Sequence, residues 1–256
     1  MLIVRNTENL AGVSISGDFY DLDKLVEALY TITIDEFSEK HTKHIRISTR
    51  VLGLCYDVRH ALQGDREVEL LDNEMDEDKM KFHSIITPKK NVYYKCNYLY
   101  PEMFFVMLAL NELVKIRYKE LSKSKSYFTD AFDKNVIWDD TIATIRGFQG
   151  EVMKCVKEIL SENAFARWLK LMNSDYIYIQ NIAGQYIDLL NIKYIAMDRE
   201  KRLKNFNKIA KRIVEFSSDT DHNEIKKVVV EAAKEYGTCE GNIRIQGVEY
   251  PDDVTW

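Results

Sequence analysis

The stretch MFFVMLAL, residues 103–110, sets the strongest constraint on what this chain can fold into. Pro101 stands just before it. Proline is tolerated in the first turn of a helix, because the amide it lacks would have no intrahelical partner there. The segment that follows is apolar on every side rather than along one stripe. A helix of that kind offers no face to water, so it belongs at the centre of the fold. It falls far short of the ~20 apolar residues that a membrane span requires.

Few residues punctuate the rest of the chain. Three prolines and ten glycines in 256 residues favour long helices over a turn-rich sandwich. A hydrophobic fraction of 46% and a charged fraction of 30% are ordinary for a globular chain with a sizeable core. LIVR and GVSISG read as short strands joined by NTENLA, and REVELL and the tyrosine-rich NVYYKCNYLY read as two more. Between them, Leu22, Leu25, Val26 and Leu29 recur at helical spacing behind Asp21, a suitable N-cap. TITIDEFSEKHTKH is an ambiguous polar connector, whose threonine–isoleucine alternation fits either a strand or a helix end. YKELSKSKSYFTD, 118–130, is the best linker.

Beyond that linker the chain reads helical nearly to its end. Trp138, Ile142, Ile145, Val152, Val156 and Ile159 trace one stripe, with Asp139 and Asp140 near its start. ENAFARWLKLM follows Ser161 as cap. Ile179, Ile182, Tyr186, Leu190 and Tyr194 mark a further helix, Leu203, Phe206, Ile209 and Ile213 another, and DHNEIKKVVVEAAKEYG the last. NIRIQGVEY, 242–250, alternates like a strand returning to the N-terminal sheet. The expectation is a helix-rich α+β fold, with a small, largely antiparallel sheet from the N-terminal third plus a C-terminal strand. Residues 1–256 read as one domain, with 1–122 and 130–256 as the alternative division.

Chemistry concentrates in one place, LGLCYDVRHALQGDRE at 52–67. The spacing predicts a helix from Ser48 or Thr49 to Gly64, since glycine just past the last turn is a common stop. At about 100° per residue, Val51, Leu54, Cys55, Val58, Ala61 and Leu62 form a core face. Thr49, Gly53, Tyr56, His60 and Gln63 lie opposite, flanked by Asp57 and Arg59. Gly53 is costly inside a helix, by about 0.5–1 kcal/mol against alanine, which suits a position where a helix or a ligand comes close. On a functional reading His60 is a general acid or base and Asp57 orients it. Arg59 and Arg66 are then clamps for a phosphate or carboxylate, with Tyr56, Gln63 and Asp65 completing a polar pocket. The plainer account is a helix end whose arginines and aspartates pair with one another.

ISGDFYDLDKLVEAL (15–29) and RVLGLCYDVRHALQGDRE (50–67) resemble segments of a bacterial protein family described only as a domain of unknown function. The resemblance implies an intracellular bacterial protein. It carries no activity and transfers no catalytic residue.

Other features are less specific. Lys201, Lys204, Lys208 and Lys211 align on one face of a strongly basic segment, 199–212, and such a face can meet nucleic-acid phosphate, an anionic membrane surface, an acidic partner, or simply water. A net charge of −5 argues against non-specific nucleic-acid binding by the whole surface. Cys55, Cys96, Cys155 and Cys239 form no CxxC pair, and the histidines form no HExxH. His41 and His44, three apart, fit a polar connector better than a shared metal. Neither metal nor cofactor is therefore expected. The start MLIVRNTENL has no secretory character, so a cytoplasmic location without membrane attachment is expected. Three functions remain compatible. The leading one is a ligand- or partner-binding module using the Tyr56–Arg66 face, with a homodimer among its forms. The second is an enzyme on phosphate-containing or nucleic-acid substrates through His60 and Asp57. The third is a nucleic-acid-binding accessory protein using the basic helix.

Overall fold

The computed structural model describes all residues except 123–132, 175–180, 247–249 and 252, and gives no side-chain detail at 181 and 182. In chain order it runs β1 (Ile3–Asn6), β2 (Gly12–Gly17), α1 (Phe19–Ile32), α2 (Ile45–Leu62), β3 (Glu67–Asp72), α3 (Glu77–His83), β4 (Lys90–Leu99) and α4 (Tyr100–Leu121). The helical part follows as α5 (Lys134–Ile137), α6 (Asp140–Ile159), α7 (Glu162–Met172), α8 (Asn181–Ile195), α9 (Arg199–Val214) and α10 (Thr220–Glu235). The four strands form one antiparallel sheet in the order β1-β2-β4-β3. The fold is helix-rich α+β.

α4 is the axis of the molecule. Every residue from Tyr100 to Leu110 is buried, as are Leu113, Val114 and Ile116. The helix touches β2 and β4 and packs against α1, α2, α5, α6, α7, α8 and α9. Phe104 meets Tyr100, Trp168 and Phe206 at ring-centroid distances of 5.4, 5.9 and 4.9 Å. Each such buried aromatic contributes roughly 1.5–3 kcal/mol. The core they share runs from Val4 to Val229.

Local chemistry corrects several expected boundaries. α1 begins after Asp18, not Asp21. The Asp18 side chain accepts from the Asp21 amide at 2.9 Å, and the Asp21 side chain accepts from the Asp18 amide at 3.2 Å, a reciprocal capping box. α2 starts at Ile45 rather than at Ser48 or Thr49. Ser48 is buried, and its hydroxyl accepts from the Ile34 amide, so it ties down the connector instead of capping its own helix. Gly64 does end α2, at φ +85, a conformation that costs other residues strain. Trp138 is 83% exposed and lies ahead of α6, whose cap is Asp139, so it is not part of the α6 stripe.

The C-terminal strand is also corrected. Residues 243–245 form no strand, and 247–249 lie outside the described residues. Ile243 and Ile245 still pack on the core. Their backbone is held by one side chain, Gln185, which donates to the Ile243 carbonyl at 3.0 Å and accepts from the Ile245 amide at 2.8 Å. An alternating pattern therefore found burial without a sheet edge. The linker expected at 118–130 falls mostly outside the described residues, with α4 continuing to Leu121.

Arg202 lies within the basic segment 199–212 but not on its surface. It is 1% exposed, and its guanidinium donates to the carbonyls of Asn9, Tyr194, Ile195 and Thr255. It closes the end of α8 and pins both ends of the chain to it. Lys201, Lys204, Lys208 and Lys211 are exposed along α9 as expected.

His222 is buried between Tyr186 and Phe216, at centroid distances of 5.6 and 5.0 Å, and burial lowers its pKa below the ordinary 6.5. The unfolded chain therefore binds a proton that the folded ring resists. The stability this confers is present above about pH 6.5 and is lost as pH falls below it. The urea midpoint should drop between about pH 7.5 and 5.5, and His222→Phe should make that drop smaller. An unchanged pH profile in the variant would contradict the assignment.

Candidate functional site

The site begins with a problem set by α4. Glu102 lies in the first turn of α4, where every residue from Tyr100 to Leu110 is buried, and is only 9% exposed. A buried carboxylate must be paired or it becomes strongly destabilising. Its partner is Arg50 on α2, whose guanidinium engages both carboxylate oxygens, Nε reaching Oε1 at 2.9 Å. A third nitrogen of Arg50 donates to Asp188 on α8 at 2.9 Å. Asn191, one turn along α8 and 1% exposed, donates to Glu102 and to the Tyr250 hydroxyl, both at 2.9 Å. Its Oδ1 is buried with no hydrogen-bond partner among the described residues. One network thus joins α2, α4, α8 and the C-terminal segment.

This network lies in the wall of a cleft of about 810 Å³. α2 contributes Thr49, Arg50, Gly53 and Asp57 to it, a single stripe at helical spacing. Lys95, Cys96, Asn97 and Tyr98 of β4 lie opposite, with Asp65, Arg66 and Glu67 at one end and Tyr250, Val254 and Trp256 among the remaining lining. Gly53 keeps the passage open. The Tyr98 hydroxyl is 3.9 Å from where a Cβ on residue 53 would stand.

The charged groups around the cleft hold one another in place. Asp57 pairs with Arg66 at 3.2 Å, and Lys95 bridges Glu67 at 2.6 Å and Glu69 at 2.7 Å. Three cations face five carboxylates among the lining residues, so the cleft is net acidic. Burial works to lower the Arg50 pKa, but Glu102 and Asp188 outweigh it and hold the guanidinium charged more firmly than usual. Burial raises the Tyr98 hydroxyl well above its ordinary value, with Glu102 adding to the effect. It pushes Tyr250 and the Cys96 thiol each up to about 12. These phenols and this thiol are neutral at physiological pH and can act only as hydrogen-bonding groups.

The residues singled out from sequence divide into two sets. Asp57, Asp65 and Arg66 line the cleft. Tyr56, Arg59, His60 and Gln63 do not. Tyr56 is 50% exposed, its ring 4.1 Å from that of His60 and 5.6 Å from the Arg59 guanidinium. Gln63 is the exposed C-cap of α2. His60 bonds Asp65 through Nδ1 at 2.9 Å, so its orienting group is Asp65, while Asp57 is occupied by Arg66. His41 and His44 face glutamates of α4 instead of a common ion, at 3.1 Å from Glu120 and 3.6 Å from Glu112. Among the described residues no group of three His, Cys, Asp or Glu side chains is placed to hold a metal. Lys201 and Lys211 pair along their own helix with Asp198 and Glu215, at 3.0 and 3.7 Å.

Sequence reasoning missed Arg50, Glu102, Asp188, Asn191, Tyr98 and Tyr250. One signal was present: a glutamate just ahead of the all-apolar run 103–110 needs a cation from elsewhere.

One family model, described as Domain of unknown function (DUF6904), matches residues 2–256. No curated protein and no solved structure matches.

Two stability outcomes follow from this geometry. Arg50→Ala strands Glu102 without a cation and should cost about 3–5 kcal/mol in urea unfolding; adding Glu102→Gln should recover much of that loss. Gly53→Ala meets no clash and removes a helix-interior glycine. It should raise stability by roughly 0.5–1 kcal/mol, visible as a higher Tm.

Proposed function

The chain belongs to the DUF6904 family, whose description names no activity, and we propose that it is a binding module whose ligand is a small polar molecule held in the Arg50–Glu102 cleft. The observation that carries this reading is the convergence of hydrogen-bonded polar side chains, of which Glu102 and Asn191 are buried, on one cavity of ligand size. Pockets of roughly 300–1,000 Å³ with a few fixed polar groups are the usual form of small-molecule sites. Here Glu102, Asn191 and Tyr250 are locked by mutual hydrogen bonds, so little ordering remains to be done on binding.

The charge balance points to the kind of ligand. An excess of carboxylates and the aromatic rings of Tyr98, Tyr250 and Trp256 suit a hydrogen-bond donor with positive charge, such as an amine or guanidinium compound. The phosphate or carboxylate clamp expected of Arg59 and Arg66 draws less support. Arg66 is engaged by Asp57, and Arg59 lies over Tyr56 outside the cleft. An acid–base role for the His60–Asp57 pair likewise lacks the hydrogen bond that would join them. A cytoplasmic setting in a bacterium is part of the proposal; the four unpaired cysteines suit a reducing compartment.

A thermal-shift panel on the full chain tests this. Small diamines and guanidino compounds should raise Tm, and dicarboxylates of matched length should not. Gly53→Leu, which fills the cleft from an exposed helix position, should abolish the response. Asp57→Asn, which removes one negative charge from the cleft wall, should weaken binding of a cationic probe, by less as salt is added. No response from any cation, or an undiminished response in Gly53→Leu, overturns the reading.

A further inference from the structure

A second cavity of about 710 Å³ lies on the far side of the Arg50–Asp188 bridge, which both cavities share as a wall together with Thr49. Its character is the opposite of the first. The lining holds three arginines, Arg46, Arg50 and Arg244, against a single carboxylate, Asp188. Arg50 and Asp188 are already joined to each other, and Arg50 to Glu102 as well. The charge left to act is that of Arg46 and Arg244, and neither makes a hydrogen bond or ion pair with another described residue. The rest of the lining is largely apolar, with Phe105, Ile187, Leu189, Ile225 and Ile245. Phe105 and Ile187 belong to the core itself.

The positioning of Arg244 is specific. Gln185 bonds the backbone on both sides of it, at Ile243 and Ile245, so the arginine is presented from a pinned segment although no sheet or helix holds it there. Arg46 comes from the first turn of α2, on the same helix as the Arg50 hub. Gly184 on α8 leaves open space where any side chain would intrude. Two guanidinium groups with no partner among the described residues, beside an apolar lining, complement one chemistry, an acidic head on a hydrophobic body.

We propose that this second cavity binds a small organic anion, its acidic head held by Arg46 and Arg244 and its apolar body laid against Phe105, Ile187 and Ile225. Guanidinium groups bind carboxylate, sulfonate or phosphate oxygens in a fork, which sets orientation as well as affinity. The apolar floor supplies the non-directional part of the affinity. This site is independent of the acidic cleft, since it uses the opposite side of the shared bridge and the opposite charge.

The probe for the test is 1-anilinonaphthalene-8-sulfonate, an aromatic sulfonate that fluoresces in an apolar site, titrated into the full chain. Saturable binding is expected, and Arg46→Gln/Arg244→Gln should weaken it by about tenfold or more. Both positions are exposed, so the fold should survive, as circular dichroism can verify. N-phenyl-1-naphthylamine, which keeps the rings without the sulfonate, should bind the variant as it binds the parent. Decanoate below its micellar range should displace the probe, whereas decylamine should not. Gly53→Leu, which blocks the other cleft, should leave sulfonate binding intact. Absence of saturable binding, equal affinity in the double variant, or displacement by decylamine as readily as by decanoate overturns the proposal.

Discussion

A carboxylate placed in the buried first half of a helix must be answered by a cation brought from elsewhere. Glu102 is that carboxylate and Arg50 is the answer, and much of the functional architecture follows from their pairing. α4 cannot turn Glu102 to solvent, because α1, α2, α5, α6, α7, α8 and α9 all pack on it together with two strands. The helix dipole favours an acid in the first turn, but that favour is small beside the cost of burying a charge. The pair therefore fixes how α2 sits against α4. It also recruits Asp188 and Asn191 from α8, and through Asn191 the hydroxyl of Tyr250.

Because the hub lies in a shared wall, it separates two cavities of opposite sign. On one side carboxylates outnumber cations; on the other, Arg46 and Arg244 stand over apolar side chains. The same Arg50 thus serves as a structural tie in both. Each of its three guanidinium nitrogens donates to Glu102 or Asp188.

Packing and hydrogen bonding also explain why some plausible surface chemistry is structural. Arg202 looks like one of a row of basic residues, yet it caps α8 from within and ties down the loop at Asn9 and the segment at Thr255. His60, the most eye-catching side chain of the polar helix end, stacks on Tyr56 and is held by Asp65, on the solvent side of α2. Both residues are satisfied where they stand.

By itself the sequence determined the features that depend on neighbours along the chain. The all-apolar run made α4 central, the strand patterns placed all four strands, and Gly64 ended α2, because period and backbone preference act over a few residues. The core face of α2, from Val51 to Leu62, was legible for the same reason. Only the tertiary structure decided which of its polar residues would matter. The cleft faces Thr49, Arg50, Gly53 and Asp57, not Tyr56 and His60, since the orientation of a helix about its axis is set by what packs beside it. Glu102, Asn191, Asp188 and Tyr250 come from positions up to 148 residues apart and meet only once α8 and the C-terminal segment dock. The same holds for Ile243 and Ile245, whose alternation suited a strand until Gln185, nearly sixty residues earlier, offered its amide instead. Periodicity records a demand for burial, whereas long-range contacts choose the partner that meets it.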